Sequence, residues 1–223
     1  MAATIMMHSL NSLDIPYEQI VRYAGMLNGE VPDSINGLIS KCLPIIQNAA
    51  KYKACYIEVP VSITDKTVSF ECFDITSHNL TTLLTGCDKA ILVAATIGIE
   101  TDIIIKRAEV TSKAEALILN SIAIAAIEKY MTVLNAFFKE QYSGYELRPR
   151  YSPGYGDVPL ATQKELLSVL DTKRKIGVAL SDSLLMTPTK SVSAIIGIGH
   201  EGCVHLDKDC DLCNKKDCEF RLQ

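Results

Sequence analysis

Residues 113–139 constrain this chain more than any other stretch. Residues 116–127 are apolar nearly all round, interrupted by Asn120 and Ser121. At about 100° per residue, Ser121, Glu128, Asn135 and Lys139 fall on one narrow stripe, and every other face must be covered. A helix of this kind lies at the centre of a fold, with the rest of the chain packed around it.

The flanking patterns say what surrounds it. Residues 15–25 read as a first helix, with Pro16 early and Ile20, Val21 and Ala24 at helical spacing; Gly25 or Gly29 stops it. Asp33-Ser34 caps a second helix running to about Ala50, and Pro44 predicts a kink or break near residue 43. Cys55, Ile57, Val59 and Val61 alternate with Tyr56, Glu58 and Pro60, the period of a strand, and Pro60 suits an edge or a bulge. Residues 67–73 read as its partner strand across Thr64-Asp65-Lys66. Residues 80–84 suit a short helix. Residues 90–97 are continuously apolar but for Thr96, as expected of a strand buried on both faces. Residues 102–109 begin a further helix, 160–173 an amphipathic one, 176–180 a short strand and 191–199 a final strand. Helices and strands do not alternate regularly. The predicted class is therefore α+β, not doubly wound α/β.

Bulk properties narrow the function. The chain has 223 residues, enough for a sizeable core, with 48% hydrophobic and 22% charged residues. Its formal net charge is −4 and it has no long basic run, which argues against a nucleic-acid footprint or a polybasic membrane patch. No basic, apolar leader opens the sequence, and no uninterrupted apolar run reaches the roughly 18–20 residues of a membrane helix. The expectation is a soluble, cytoplasmic protein.

After the long helix comes Arg150-Tyr151-Ser152-Pro153-Gly154-Tyr155-Gly156-Asp157. One proline and two glycines surrounded by a cation, two tyrosines and an acid make either a tight structural turn or a place where backbone meets ligand. Arg150 offers bidentate donors to a carboxylate, tyrosine rings attract cations or pack on flat bases, and Gly154 lets backbone approach a ligand. A buried Arg150 without an anionic ligand or a neighbouring acid would be strongly unfavourable. Glu128 either meets a ligand's ammonium or hydroxyls or is a solvated member of the polar stripe. Tyr151 and Asp157 are candidate linings of a ligand site, with ordinary loop surface as the plainer reading of each. His8, His78 and His200 show no ligand or catalytic spacing.

The loop has company in a fixed order. Ala94-Ala95-Thr96-Ile97-Gly98-Ile99-Glu100-Thr101-Asp102 comes first, then Asn120-Ser121-Ile122-Ala123 and Ala126-Ile127-Glu128, then the loop. Gly177-Val178-Ala179-Leu180-Ser181-Asp182-Ser183, Met186-Thr187-Pro188 and Lys190-Ser191-Val192-Ser193 follow. Together these resemble the activation domain of cobalamin-dependent methionine synthase, over residues 91–198 and more weakly over 15–61. The resemblance implies a twisted antiparallel sheet with flanking helices and an S-adenosylmethionine site that includes Arg150 and Tyr155, with Glu128 as the matching acid. It also implies a role in reactivation, in which one electron and a methyl group from S-adenosylmethionine restore methylcobalamin from cob(II)alamin. The family continues its loop with Pro after Gly-Tyr, whereas Gly156-Asp157 follows here, a departure that bears on the loop's stiffness. No Asp-x-His-x-x-Gly corrinoid motif is present, so cobalamin would be held by a partner, a cobalamin-dependent methyltransferase such as methionine synthase. A flavodoxin- or ferredoxin-like protein would donate the electron.

The pattern changes near His200, dividing the chain into residues 1–200 and a tail, 201–223. Cys203, Cys210, Cys213 and Cys218 crowd that tail, with Cys210 and Cys213 at metal-knuckle spacing. The spacing suits a metal site, against four reduced, unligated thiols. It fits neither a zinc ribbon nor the bacterial ferredoxin run, which leaves an iron–sulfur cluster, able to supply the electron, or a structural zinc. An electron-transfer protein whose tail does the chemistry is the alternative reading of the whole chain.

Overall fold

A computed structural model describes residues 4–26 and 31–200. Its strands are β1 Met6–Leu10, β2 Tyr52–Pro60, β3 Ser62–Thr64, β4 Thr67–Ser69, β5 Asp74–Thr76, β6 Cys87–Thr96, β7 Glu146–Leu147, β8 Ala179–Leu180, β9 Met186–Thr187 and β10 Ser191–Gly199. Its helices are α1 Tyr17–Tyr23, α2 Asp33–Ala49, α3 His78–Leu84, α4 Ile99–Thr111, α5 Lys113–Gln141, α6 Gln163–Val169 and α7 Thr172–Lys175. The class is α+β. A curled antiparallel sheet, ordered β1-β2-β6-β10-β7, carries helices on its faces.

The long helix takes the central place its composition demands. α5 spans 29 residues, Lys113–Gln141, and the side chain of Ser112 before it caps the N-terminus by accepting the Glu115 N–H. It is long and apolar enough to cross a membrane, yet 61% of its most apolar window is buried inside the protein. α1, α2 and α4 pack against it. These helices and one face of the sheet enclose the larger core, which includes Ile46, Tyr52, Tyr56, Ile91, Val93, Ile122, Tyr130, Phe138 and Ile196. The polar stripe is only partly solvated. Ser121 is fully buried and returns its hydroxyl to the Leu117 carbonyl (2.8 Å), so the polar atom is satisfied within the helix.

The other face of the sheet builds a second core with Phe70, Leu80, Leu92, Tyr151, Leu166 and Ile195. Both faces being covered explains the near-continuous burial of β6 and β10. It also changes the reading of β2. Cys55, Ile57 and Val59 face the second core, while Tyr56 on the alternate face enters the first. Gly197 on β10 is required by contact. A Cβ there would stand 2.6 Å from Leu84 Cδ2, 2.8 Å from Cys87 Sγ and 2.9 Å from Arg148 Cγ.

Several local expectations are corrected. α2 runs unbroken through Pro44. The missing N–H orphans only the carbonyl four residues earlier, at exposed Ser40, a position open to solvent. β4 does not pair with β2. It pairs with β3 across the Asp65-Lys66 turn and with β5, while β2 lies between β1 and β6. Pro60 is the last residue of β2, where a missing donor costs least. The segment 160–173 is divided, because Asp171 adopts a left-handed φ of 46° between α6 and α7. Only Ala179–Leu180 of the expected strand forms, paired with β9. β1 was not expected at all; its alternation is too short to stand out.

Candidate functional site

The loop after β7 starts as sheet and ends as a turn. Residues 146–151 run along the free edge of β10. The Arg148 N–H donates to the Gly197 carbonyl, and Tyr151 and Ile195 exchange both backbone bonds, each at 2.8 Å. The chain then closes on itself through Gly154 N–H to Val158 O (3.0 Å), Tyr155 N–H to Ser152 O (3.2 Å) and Val158 N–H to Tyr155 O (3.0 Å). The Gly154 amide is therefore spent on the loop itself.

Side chains on this edge go to opposite faces. Tyr151 is buried in the second core, and its hydroxyl donates to the Tyr155 carbonyl at 3.3 Å. Arg150 goes to the α5 face and donates through Nη2 to the Glu128 carboxylate. The two charged groups picked from the sequence, 22 positions apart, thus form one ion pair. Their side chains are 23% and 31% exposed, so solvent still screens the pair and its worth to stability stays in the surface range of about 0–1 kcal/mol. Nη1 of Arg150 is buried and has no hydrogen-bond partner among the described residues. Among the described residues, then, one guanidinium nitrogen is paired and the other is enclosed without an acceptor, a cost that a further acceptor would relieve.

Tyr155, at the loop tip, is 65% exposed. Tyr23, in the last turn of α1, is half-buried against the helical core. Burial raises the Tyr23 phenol above the usual tyrosine range. The charge of Glu128 adds to this, Arg22 and Arg150 oppose it, and Tyr155 adds a smaller rise. No sequence pattern marks Tyr23. It ends a short helix more than a hundred residues before the loop.

Asp157 has an architectural role. Its carboxylate accepts from the Ser77 hydroxyl and from the backbone N–H groups of His78 (2.7 Å) and Asn79 (3.3 Å), pinning the loop to the start of α3. Desolvation pulls its pKa up, and these bonds outweigh it, leaving the carboxyl below its ordinary value. Gly156 sits above this clamp with φ of 54°, and a Cβ there would run into Tyr151 Oη and Asn79 Nδ2. Proline cannot adopt that φ. The stiffness a proline would give is supplied here by the Asp157 clamp.

The other quoted segments meet elsewhere. The Asp102 carboxylate accepts the Thr189 N–H (2.7 Å) and hydroxyl (2.6 Å), and Ser191 Oγ donates to Thr96 Oγ1 (2.9 Å). This ties the start of α4 to the start of β10 and reads as architecture. A groove of about 600 Å³ lies between α6, α7 and β8, lined by Lys164, Ser168, Asp171, Lys173, Leu180 and Asp182. None of Arg150, Glu128 or Tyr155 borders it. Its lysines are exposed and solvated and no buried orphan donor faces it, so the ion-pair edge is the better candidate despite lacking a deep cavity. Among the described residues no three His, Cys, Asp or Glu side chains gather as a metal site. Cys203, Cys210, Cys213 and Cys218 lie outside the described residues.

Residues 126–204 match the family model of the vitamin B12-dependent methionine synthase activation domain, which takes in the end of α5, the loop and β10. A solved structure described as the MetH reactivation domain bound to AdoHcy superimposes with a TM-score of 0.69 at 13% identity. The match covers 91% of this chain and 80% of that one. No curated protein matches. The fold over most of the chain is therefore that of the reactivation domain.

Proposed function

We propose that this chain binds S-adenosylmethionine at the Arg150–Glu128 edge and supports reductive remethylation of cob(II)alamin held by a separate cobalamin-dependent methyltransferase, methionine synthase being the type the comparisons name. The observation that carries the reading is the half-used guanidinium of Arg150 beside Glu128, in a fold shared with a domain solved with S-adenosylhomocysteine. The amino-acid end of that ligand is a zwitterion. Its carboxylate suits Arg150 Nη1, and its ammonium suits Glu128, so binding extends one ion pair into an alternating set of charges. The exposed ring of Tyr155 suits the sulfonium or the adenine.

The bound ligand supplies an electrophilic methyl group. The methyl acceptor in this reading is the cobalt on the partner. One electron and that methyl group convert cob(II)alamin to methylcobalamin, with S-adenosylhomocysteine left behind. A cytoplasmic setting and a flavodoxin- or ferredoxin-like donor belong to this reading. So does a metal site at Cys203, Cys210, Cys213 and Cys218, as an iron–sulfur cluster that relays the electron or a zinc that folds the tail.

Isothermal titration with S-adenosylmethionine tests the binding; a wild-type protein that binds nothing at millimolar ligand refutes it. Arg150→Ala should weaken binding by about 1.5–3 kcal/mol, the range for a hydrogen bond to a charged group. Loss of cob(II)alamin absorbance on a methionine synthase lacking its activation domain, with reductant and this chain added, tests the action in trans. The cysteine spacing of the tail favours a second reading, an iron–sulfur electron-transfer or docking protein without its own S-adenosylmethionine chemistry. Anaerobic purification with iron and sulfide analysis separates them, since a colourless, zinc-loaded protein rejects the second.

A further inference from the structure

We propose that Asp157 is a positioning residue of the ligand site: by binding the start of α3 it fixes Tyr155 for the ligand, while Arg150 is fixed independently by the sheet. The proposal rests on the S-adenosylmethionine reading above. It starts from how the two residues are rooted. Arg150 lies between Arg148, whose N–H donates to the Gly197 carbonyl, and Tyr151, which exchanges both backbone bonds with Ile195, each at 2.8 Å. Its backbone is therefore part of the β10 edge. Tyr155 lies beyond the point where that edge ends. Extended by two residues, the Tyr151–Ile195 pairing would need an N–H at position 153, which Pro153 lacks.

Beyond that point the turn and α3 do the holding. The Tyr155 N–H donates to the Ser152 carbonyl (3.2 Å), and its carbonyl accepts the Val158 N–H (3.0 Å) and the Tyr151 hydroxyl (3.3 Å). Asp157, inside the same turn, ties it to a separate element, accepting from the Ser77 hydroxyl and from the N–H groups of His78 (2.7 Å) and Asn79 (3.3 Å). The anchor is itself rigid. Ser77 is 2% exposed, its N–H donates to the Lys66 carbonyl (2.8 Å), and its hydroxyl oxygen accepts the Leu80 N–H (3.0 Å). Between Tyr155 and Asp157, Gly156 is closed in so tightly by Tyr151 Oη and Asn79 Nδ2 that no Cβ fits. The root of the exposed Tyr155 ring is thus ordered before any ligand arrives, and a ligand that packs on that ring need not order it. Removing the Asp157 carboxylate frees the turn and leaves the Arg150–Glu128 pair on its strand edge.

Two double-mutant cycles read by isothermal titration with S-adenosylmethionine test this, with thermal melting to confirm that each variant is folded at the assay temperature. Asp157→Ala should weaken binding about fivefold, the order expected when binding must immobilise one side chain. The same replacement should cost less than about twofold in a Tyr155→Ala background and its full fivefold in an Arg150→Ala background. A loss of equal size in both backgrounds overturns the proposal, since that is the mark of a merely structural part. An unchanged affinity in folded Asp157→Ala also overturns it and leaves the S-adenosylmethionine reading intact. So does a Tyr155→Ala protein that binds as wild type does, because nothing is then left for Asp157 to position. If wild type itself binds nothing, the site assignment and the role of Asp157 fall together. Should Asp157→Ala melt below the assay temperature, Asp157→Asn goes through the same cycles and is judged by the same outcomes.

Discussion

Arg150 and Tyr151 are neighbours in sequence and serve different halves of the molecule. Arg150 enters the α5 face, pairs with Glu128 and keeps one nitrogen unused; Tyr151 enters the α3 face, is 8% exposed and props up the Tyr155 carbonyl. The period of an extended edge puts successive side chains on opposite sides, so a single strand end supplies both a candidate ligand contact and its support. The lesson is that a motif is not a list of ligands. On the α3 face, Tyr151, Gly156 and Asp157 fix the backbone, and on the α5 face Arg150 and Glu128 pair with each other.

That division predicts effects of very different kinds. Tyr151→Ala should be the most damaging to the fold, about 3–5 kcal/mol by chemical denaturation, as for other buried aromatics. Arg150→Ala should cost under about 1 kcal/mol in the same experiment and act on ligand titration instead; equal destabilisation by the two would erase the contrast. Gly156→Ala should cost about 1–3 kcal/mol, because its Cβ collides with Tyr151 and Asn79 at a left-handed φ. A neutral result would mean that the clamp yields easily.

Asp157→Asn should cost about 1 kcal/mol at pH 7, as for loss of a helix cap. The carboxyl is held below its ordinary value in the folded protein, so its stabilisation is fully present above the unfolded pKa of about 3.9 and fades as pH falls through the lower folded value. Melting of wild type and variant should therefore converge in acid; a constant gap from pH 7 to pH 2.5 would deny Asp157 this role. The smallest effect on stability belongs to Glu128→Gln, within about 0.5 kcal/mol, since the amide still accepts from Arg150. It should nonetheless weaken S-adenosylmethionine, and a variant that binds as well as wild type would return Glu128 to the solvated stripe.

Much of this was legible before any coordinates. The central helix, the two-faced burial of residues 90–97, the final strand 191–199 and the α+β class all follow from hydrophobic period, because burial of a face leaves its imprint on every residue of that face. Arg150 and Glu128 could be picked out by chemistry and by resemblance. Their pairing was posed as a question, whether a buried Arg150 has an acid beside it, and tertiary structure answered it with Glu128. The clamp of Asp157 on the start of α3 spans about eighty residues. Likewise the sequence marked Cys55, Ile57 and Val59 as one buried face of β2, and only β1 and α5 decided that Tyr56 on its other face is buried too. Local patterns report that a face is covered. What covers it, and which distant charges are brought to one edge, is settled when the two layers close around the sheet, since those contacts carry no signal in the residues between them.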